Sequence, residues 1–255
     1  MFEYHTLSLK TVDSTSRYLK DYLCHKATAN SHPQIVVCRS EQQTAGYGQQ
    51  GSAWQTNKDS AIFSIALPLA EKPEKQWIAP PTSIRVALTL QNCLKTLVSE
   101  PVFVKWPNDL YDAKGKVAGI LIEQVRSQSQ RYLVIGVGIN RGDAAALHVP
   151  QGDYVLSALS KFSLSALLEK WLPILHNLDT QTALTDKELC AWQAVDWFAN
   201  KEVLKVKLKK DKDAVLQTAT YLSIDHQGQA LLEINHQLKT LSSGIYSLRK
   251  CNKEV

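Results

Sequence analysis

The sequence predicts an α+β fold in which a mixed β-sheet with helices on one face is followed by a small C-terminal SH3-like β-barrel. Over residues 1–199, apolar runs typical of buried strands alternate with helical patterns. From residue 200 onward, short strand patterns are separated by polar turns. The length of 255 residues suits two modest domains, which we place at residues 1–199 and 200–255.

Composition limits the class of protein. The chain is 44% hydrophobic and 21% charged, without low complexity or an internal repeat. Its net charge of +5 suits an anionic nucleotide or an acidic partner, but is too small and too dispersed to indicate DNA binding. The five cysteines are widely spaced, which predicts neither disulfides nor a zinc site and favours a reducing cytoplasm. We expect no signal peptide and no membrane span.

A strand is predicted at residues 2–9, and a helix follows it. Residues 13–16 supply typical helix N-cap side chains, and Leu19 and Leu23 recur at helical spacing. Capping alone explains those first side chains, so the pattern does not by itself indicate a ligand.

A glycine-rich loop follows a β-type run at residues 35–38. Gly46, Gly48 and Gly51 lie close together there, so backbone amides can approach a ligand closely. A lone Gly-x-Gly-x-x-Gly is weak evidence, since no βαβ unit follows it. A flexible surface loop is an equally good interpretation.

Two nearly continuous apolar strands are predicted at residues 60–68 and 131–139, with a helix starting near residue 82 between them. The second strand contains Gly136 and Gly138. Glycine inside a strand indicates a bulge or a group packed against the backbone, and a bound ring is one candidate. Close packing of strands is the alternative.

Later helices are predicted at residues 164–175, with Pro173 expected to kink or end the first one, and from residue 186 through Trp192 towards Phe198. Thr185 and Glu188 have the spacing of a capping box. Short strands are then expected at residues 203–209, 218–224, 229–234 and 238–241.

Residues 102–123 carry the main candidate site. Apolar runs at residues 102–106 and 117–122 predict two strands joined by a polar loop. Lys105 and Lys116 lie near the two ends of that loop, so pairing of the strands would bring two ammonium groups together as an anion site. Two solvated hairpin lysines are the simpler alternative.

This segment, KWPNDLYDAKGKVAGILIE at residues 105–123, resembles the signature of bacterial biotin protein ligases in their short form. The resemblance implies ATP-dependent attachment of biotin to a lysine of the biotin carboxyl carrier protein of acetyl-CoA carboxylase. The expected intermediate is biotinyl-5′-AMP, and Mg²⁺ is the expected cofactor. The C-terminal Gly-x-x-Ser-Leu-Arg at residues 244–249 resembles the ending of the same family.

The resemblance also implies roles for individual residues. Lys116 is expected to bridge biotin and phosphate, with Lys105 in support. Biotin contacts are implied for Ser14, Thr15, Gln43, Gly46, Tyr47, Lys116, Gly119, Gly136 and Gly138. ATP contacts are implied for Gln49, Gln50, Trp54, Asn108, Asp109 and Asn140.

The chain departs from the family pattern in its glycine loop. The family carries arginines at positions where this chain has Tyr47, Gln49, Gln50 and Ser52. We therefore do not expect this loop to neutralise phosphate charge. We expect the protein to retain ATP or biotinyl-AMP less tightly.

Three alternatives follow from the same residues. One is a lipoate or octanoate ligase of the same fold, and another is a non-catalytic biotin-binding protein without the loop arginines. A biotin-responsive repressor is not expected, since the first matching motif begins at Asp13 and leaves no room for a helix-turn-helix. Asn57, Trp77 and His148 are expected to be structural, and a homodimer stays open.

Overall fold

Over the residues that it describes, a computed structural model shows a seven-stranded mixed sheet, four α-helices and a five-stranded antiparallel sheet, which confirms the α+β class. No helix within the described part of the chain is long and apolar enough to cross a membrane. The structure describes residues 3–26, 34–69, 79–127, 130–143, 156–180, 182–198, 201–208 and 217–251.

The seven-stranded sheet is mixed because its first two strands are parallel and the next four pairs across the sheet are antiparallel. Its strands are β1 His5–Val12, β2 Val36–Gln43, β3 Ala61–Leu69, β4 Phe103–Lys105, β5 Asp109–Tyr111, β6 Lys116–Ser127 and β7 Gln130–Ile139. They are arranged in the order β1-β2-β3-β7-β6-β5-β4.

The remaining elements are helices and the C-terminal strands. The helices are α1 Thr15–Lys26, α2 Thr82–Leu94, α3 Leu164–His176 and α4 Asp186–Val195. The C-terminal strands are β8 Val203–Leu208, β9 Gln217–Ile224, β10 Ala230–Ile234, β11 Gln237–Leu241 and β12 Tyr246–Lys250. They pair in the order β11-β10-β9-β8-β12.

The chain folds into two compact units. The boundary predicted between residues 199 and 200 lies outside the described residues and stays a prediction. The first unit contains Met1–Gln76, Thr89–Val102 and Asp109–Leu178, and the second contains Trp77–Leu88, Phe103–Asn108 and Asp179–Val255.

Strand β3 is buried on both faces over most of its length, as its continuous apolar character predicts. Helix α1 lies on one face, where Ser16 bonds to Ser64. Helix α3 contacts the other face, because Trp171 packs edge-on against Phe63 at 6.4 Å between ring centroids. Adjacent strand residues point to opposite faces, so the helices cover both faces rather than the single face predicted.

Helix α1 is held against the sheet by its apolar residues. Leu19 and Leu23 are almost completely buried, and they pack with Val36 and Cys38 of β2 and Ala66 of β3. The predicted helical spacing of the two leucines is thereby confirmed. This packing fixes how the first turn of the helix is presented along the sheet.

The predicted polar loop between residues 107 and 116 is wrong. Leu110 and Tyr111 are buried within β5, which pairs with β6 in the register Asp109 opposite Gly119. The connection between the strands is a tight turn, in which Asp112 Oδ1 accepts hydrogen bonds from the amides of Lys114 and Gly115, each at 2.7 Å. Two apolar residues are enough for this short buried strand, too few for the sequence pattern to reveal it.

Two helix ends also differ from the prediction. Helix α3 runs three residues past Pro173 and ends at His176. Helix α4 starts with the predicted capping box of Thr185 and Glu188, but it ends at Val195, before Phe198.

The second unit contains a buried carboxylate. Asp196 Oδ2 accepts hydrogen bonds from the Tyr221 hydroxyl at 2.5 Å and from Trp192 Nε1 at 2.8 Å, and Asp196 Oδ1 accepts one from the Phe198 amide at 3.1 Å. Burial raises the pKa of the Asp196 carboxyl to about 6, against the lowering effect of these hydrogen bonds.

We expect this carboxyl to make stability depend on pH. Its pKa in the folded state, about 6, lies above the value of 3.8 for an exposed carboxyl. Its stabilising contribution is therefore complete below pH 3.8 and is lost as the pH rises through 6. The free energy of unfolding should fall by about 2 kcal/mol between pH 4 and pH 7 from this group alone.

Urea denaturation across that pH range, on wild type and Asp196→Asn, measures the effect. The variant should lack this part of the pH dependence, whereas Asp21→Asn, which changes an exposed carboxyl on α1, should retain it. Equal pH dependence of wild type and Asp196→Asn would show that the carboxyl does not titrate as proposed.

Candidate active site

Three glycines form a flat surface on one face of the sheet in the first unit. Gly136 and Gly138 are two residues apart on β7, so they lie on the same face. Gly119 of β6 is the register partner of Gly138, and Ser64 of β3 is the partner of Gly136. The backbone is therefore open to close approach over two neighbouring strands.

The Trp54 indole lies directly on this surface. A Cβ atom placed on Gly138 would be 2.3 Å from Trp54 Nε1, and one on Gly119 would be 2.8 Å from Trp54 Cζ3. A ring does pack against Gly138, but it is a side chain of the protein itself and not a bound ring, so a ligand ring on these glycines stays a prediction. Trp54 Nε1 is buried and has no hydrogen-bond partner in the part of the chain that the structure describes.

Lys116 lies beside the indole at the first position of β6. Its Nζ is 2.8 Å from Asp109 Oδ1 and 5.2 Å from the centre of the Trp54 ring, and its side chain is 13% exposed. The ammonium group is thus shielded from much of the solvent and oriented by one carboxylate and one aromatic face. This is the arrangement of a cation that can meet an anionic ligand.

Asn140 forms hydrogen bonds with the backbone that carries Lys116. Its side-chain amide donates to the Lys116 carbonyl at 3.3 Å and to the Ser157 carbonyl at 3.2 Å, and its backbone amide donates to the Val117 carbonyl at 2.8 Å. Asn140 therefore holds the start of β6. Its Oδ1 is buried without a hydrogen-bond partner among the described residues.

The first turn of α1 adds a chain of buried hydroxyls on the same face. Gln43 Oε1 accepts hydrogen bonds from the Thr15 amide at 2.7 Å and the Thr15 hydroxyl at 3.0 Å. Ser64 Oγ lies 2.8 Å from Thr15 Oγ1 and 2.9 Å from Ser16 Oγ. A Cβ atom on Gly136 would be 2.5 Å from Ser16 Oγ, so this glycine lets the helix approach the sheet.

Ser14 caps the helix, since its hydroxyl accepts a hydrogen bond from the Arg17 amide at 3.4 Å. The capping interpretation of this residue is therefore confirmed. Ser14 is also almost fully buried and adjacent to Thr15, so its position is compatible with a ligand contact as well.

The glycine loop forms a small hairpin with an exposed tip. Tyr47 bridges to Ala53, and the Trp54 amide donates to the Gly46 carbonyl at 2.9 Å. The tip is a short 3₁₀ turn over Gln49–Gly51, in which Gln50 has a left-handed backbone. Both glutamines that the resemblance assigned to ATP are thus at the loop tip.

Sequence reasoning missed two charged residues that contact this loop. Lys20 Nζ lies 2.6 Å from Glu123 Oε1 and donates to the Tyr47 hydroxyl at 3.1 Å, while the Tyr47 hydroxyl donates to Glu123 Oε2 at 2.8 Å. Burial raises the pKa of the Tyr47 hydroxyl, so it acts here as a neutral donor. The sequence did hold one indication of this contact: Lys20 follows Ser16 by four residues, so both lie on the same face of the helix.

Lys105 and Asn108 belong to the second unit, and both are buried. Lys105 Nζ lies 5.9 Å from the ring centres of both Trp197 and Phe198. A common site for Lys105 and Lys116 stays a prediction.

Three residues were expected to have a structural role only, and the structure describes one of them. Asn57 is structural, as expected, because its side-chain amide donates to the carbonyls of Arg141 and Asp143 at 3.1 and 3.0 Å. Trp77 and His148 lie outside the described residues.

Comparison with known proteins shows what the whole chain is similar to. A model of the biotin/lipoate A/B protein ligase family matches residues 8–140. The bifunctional ligase/repressor BirA of Escherichia coli is 30% identical over 253 residues, covering 96% of this chain and 74% of the relative. The biotin–[acetyl-CoA-carboxylase] ligase of Mycobacterium tuberculosis is 26% identical over 227 residues, covering 87% and 82%.

The fold has a counterpart among solved structures. The biotin protein ligase from Aquifex aeolicus in complex with biotin and ATP matches with a TM-score of 0.69 at 22% identity, over 97% of this chain and 99% of that one. At this identity the likeness shows the fold.

The contact between Trp54 and Gly138 predicts a large effect of a single methyl group. Gly138→Ala should destabilise the protein by about 1 to 3 kcal/mol, because the new Cβ overlaps the indole and the ring must move. Chemical denaturation measures the loss, and near-UV circular dichroism reports the displaced ring. Gly244→Ala is the control, since nothing lies within 4 Å of the added atom.

The effect should also depend on the indole. In a Trp54→Ala background, Gly138→Ala should cost much less, which a double-mutant cycle detects. An equal cost in both backgrounds would mean that the indole does not rest on this glycine.

Proposed function

The chain belongs to the biotin/lipoate A/B protein ligase family, and we propose that it is an ATP-dependent biotin protein ligase. Its substrate would be a specific lysine of a biotin carboxyl carrier protein, modified through biotinyl-5′-AMP. The observation that carries the proposal is Lys116, held by Asp109 beside the Trp54 ring on a surface of glycines. The name of one relative, the biotin–[acetyl-CoA-carboxylase] ligase of Mycobacterium tuberculosis, favours biotin over lipoate.

The proposed reaction needs a cation at this point. A carboxylate is a poor acyl electrophile, so biotin must first attack the α-phosphate of ATP to form a mixed anhydride and release pyrophosphate. The carrier lysine then attacks the anhydride carbonyl and releases AMP. Because the first step brings a carboxylate against a triphosphate, a preorganised cation lowers the barrier by stabilising negative charge.

Lys116 has the properties that this step requires. Its ammonium group is largely withdrawn from solvent, which strengthens its attraction for an anion. Asp109 holds it in place, so little reorganisation is needed when the reacting oxygens arrive. In the proposed mechanism, Nζ bridges the biotin carboxylate and the α-phosphate while it keeps its contact with Asp109.

The polar residues where α1 meets strands β2 and β3 suit the head group of biotin. A ureido ring offers two N–H donors and one carbonyl acceptor. Thr15, Gln43 and Ser64 present hydroxyl and amide groups that supply the complementary acceptors and donors. The Trp54 face and the glycine surface supply flat apolar contact for the fused ring of biotin. We therefore propose that Trp54, which the family resemblance assigns to ATP, borders biotin as well.

Magnesium fits this site best as part of the nucleotide substrate. Among the described residues, no group of three or more His, Cys, Asp or Glu side chains is placed to hold a metal ion. Asp109 is already paired with Lys116. Mg²⁺ commonly binds through phosphates, waters and one or two carboxylates, so we propose that it arrives on ATP and neutralises phosphate charge near Asp109.

The first test is ATP–pyrophosphate exchange by the purified protein. We expect exchange with biotin and none with lipoate. Lys116→Met should reduce the exchange rate by about 10²-fold or more while biotin still binds in calorimetry. Lys114→Met is the control, because Lys114 is an exposed lysine two residues away.

Two results would point elsewhere. Exchange that depends on lipoate would indicate the other ligase activity of the family. Biotin binding without any exchange would indicate a binding protein that does not catalyse adenylation.

The neutral loop predicts a second measurable property. Without arginine at Gln49, biotinyl-AMP should be held less tightly, since a charge-assisted hydrogen bond contributes roughly 1.5 to 3 kcal/mol. Gln49→Arg should therefore slow dissociation of biotinyl-AMP by about ten- to a hundredfold in a stopped-flow or filter-binding chase. Asn92→Arg, which adds the same charge at an exposed position of α2, should leave it unchanged. An unaltered rate for Gln49→Arg would contradict the hypothesis.

A further inference from the structure

We propose that Lys20, Tyr47 and Glu123 form a clasp that holds the glycine loop over the binding surface and so slows release of the bound adenylate. Tyr47 is then a positioning residue of the ligase. The retention part of this proposal rests on the proposed function. The clasp itself is a property of the protein without ligand.

The contacts of Tyr47 are the basis of the clasp. Its hydroxyl donates to Glu123 Oε2 at 2.8 Å and accepts from Lys20 Nζ at 3.1 Å. Lys20 Nζ and Glu123 Oε1 are 2.6 Å apart, so the three groups close a ring of hydrogen bonds. The Lys20 and Glu123 side chains are each 26% exposed, which makes this pair better shielded than a typical surface ion pair.

The ring of Tyr47 is held as well as its hydroxyl. The Arg17 guanidinium lies 5.4 Å from the ring centre, and Lys20 Nζ lies 5.6 Å from it. Arg17 is in turn paired with Asp13 at the start of α1. Two successive turns of one helix therefore contact a single loop side chain.

Anchoring Tyr47 also anchors the rest of the hairpin. Tyr47 bridges to Ala53, and its neighbour Gly46 accepts the amide of Trp54. Glu123 lies on the same face of β6 as Gly119, because the two are four residues apart in a strand. The clasp thus ties the loop to the same sheet face that carries the Trp54 indole and the glycines.

This arrangement compensates for the missing arginines in a specific way. None of the loop side chains from Tyr47 to Ser52 is cationic, so the loop has no positive charge of its own with which to close on an anionic ligand. Its closed position is maintained by contacts that already exist without ligand. Ordering the loop before binding lowers the entropy cost of binding and slows release.

Hydrogen–deuterium exchange on the ligand-free protein tests the clasp directly. In Tyr47→Phe, amides of residues 46–54 should exchange about tenfold faster than in wild type. Tyr18→Phe, on the same helix and packed against the apolar cluster beneath it, is the matched control and should leave those amides unchanged. Unchanged exchange in Tyr47→Phe would overturn the clasp.

Release of biotinyl-AMP tests the positioning role. Tyr47→Phe should raise the dissociation rate by about tenfold, the expected effect of losing a hydrogen bond to a carboxylate. It should raise KM for biotin more than it lowers kcat, because the loss affects binding rather than chemistry. Faster amide exchange with an unchanged dissociation rate would overturn the positioning role.

A charge exchange between the partners adds a rescue. Lys20→Glu and Glu123→Lys should each speed release, and the double variant should restore slow release, since Tyr47 can still bond to both groups. A double variant no better than the singles would also count against the clasp.

Absence of biotin-dependent pyrophosphate exchange in the unmodified protein would overturn the proposed function, while amide exchange would still decide the clasp.

Discussion

The site depends on a steric constraint, which is that three neighbouring positions on two paired strands carry no side chain. Gly119, Gly136 and Gly138 let the Trp54 indole and the Ser16 hydroxyl approach closer than any Cβ would allow. Glycine weakens a strand through its greater freedom in the unfolded chain, so this surface has an energetic cost. The burial of β3 and β7 around it offsets that cost by stabilising the sheet.

The constraint also determines which chemical groups reach the surface. Over Gly136 the helix presents hydroxyls, bonded in a chain from Gln43 through Thr15 to Ser64. Over Gly138 and Gly119 the loop presents an indole, and Lys116 is beside it. Polar and apolar contacts are thus separated along one strand, with the cation at the apolar end. A ligand with a polar head and an acidic tail matches that order, as biotin does.

Much of the fold could be predicted because local patterns determine it. The continuous apolar runs of β3 and β7, the leucine spacing of α1 and the capping box of α4 each depend on neighbouring residues. Strand β5 was missed because only Leu110 and Tyr111 carry its apolar signal. The Lys20–Glu123 pair joins residues 103 positions apart, and no spacing rule connects such distant residues. No spacing rule predicts the contact between Trp54 and Gly138 either.

Helix α1 carries both the buried hydroxyls beside the glycines, which form a polar wall, and Lys20, which anchors the loop through Tyr47. Ser14, Thr15 and Ser16 are in its first turn, and Lys20 is one turn further on, so a single rigid element sets the position of both. The helix is held by Leu19 and Leu23, which are buried against the sheet. A change in the volume of either leucine would shift the wall and the anchor together. In the proposed ligase, residues that look purely architectural would therefore affect ligand affinity and ligand residence time together.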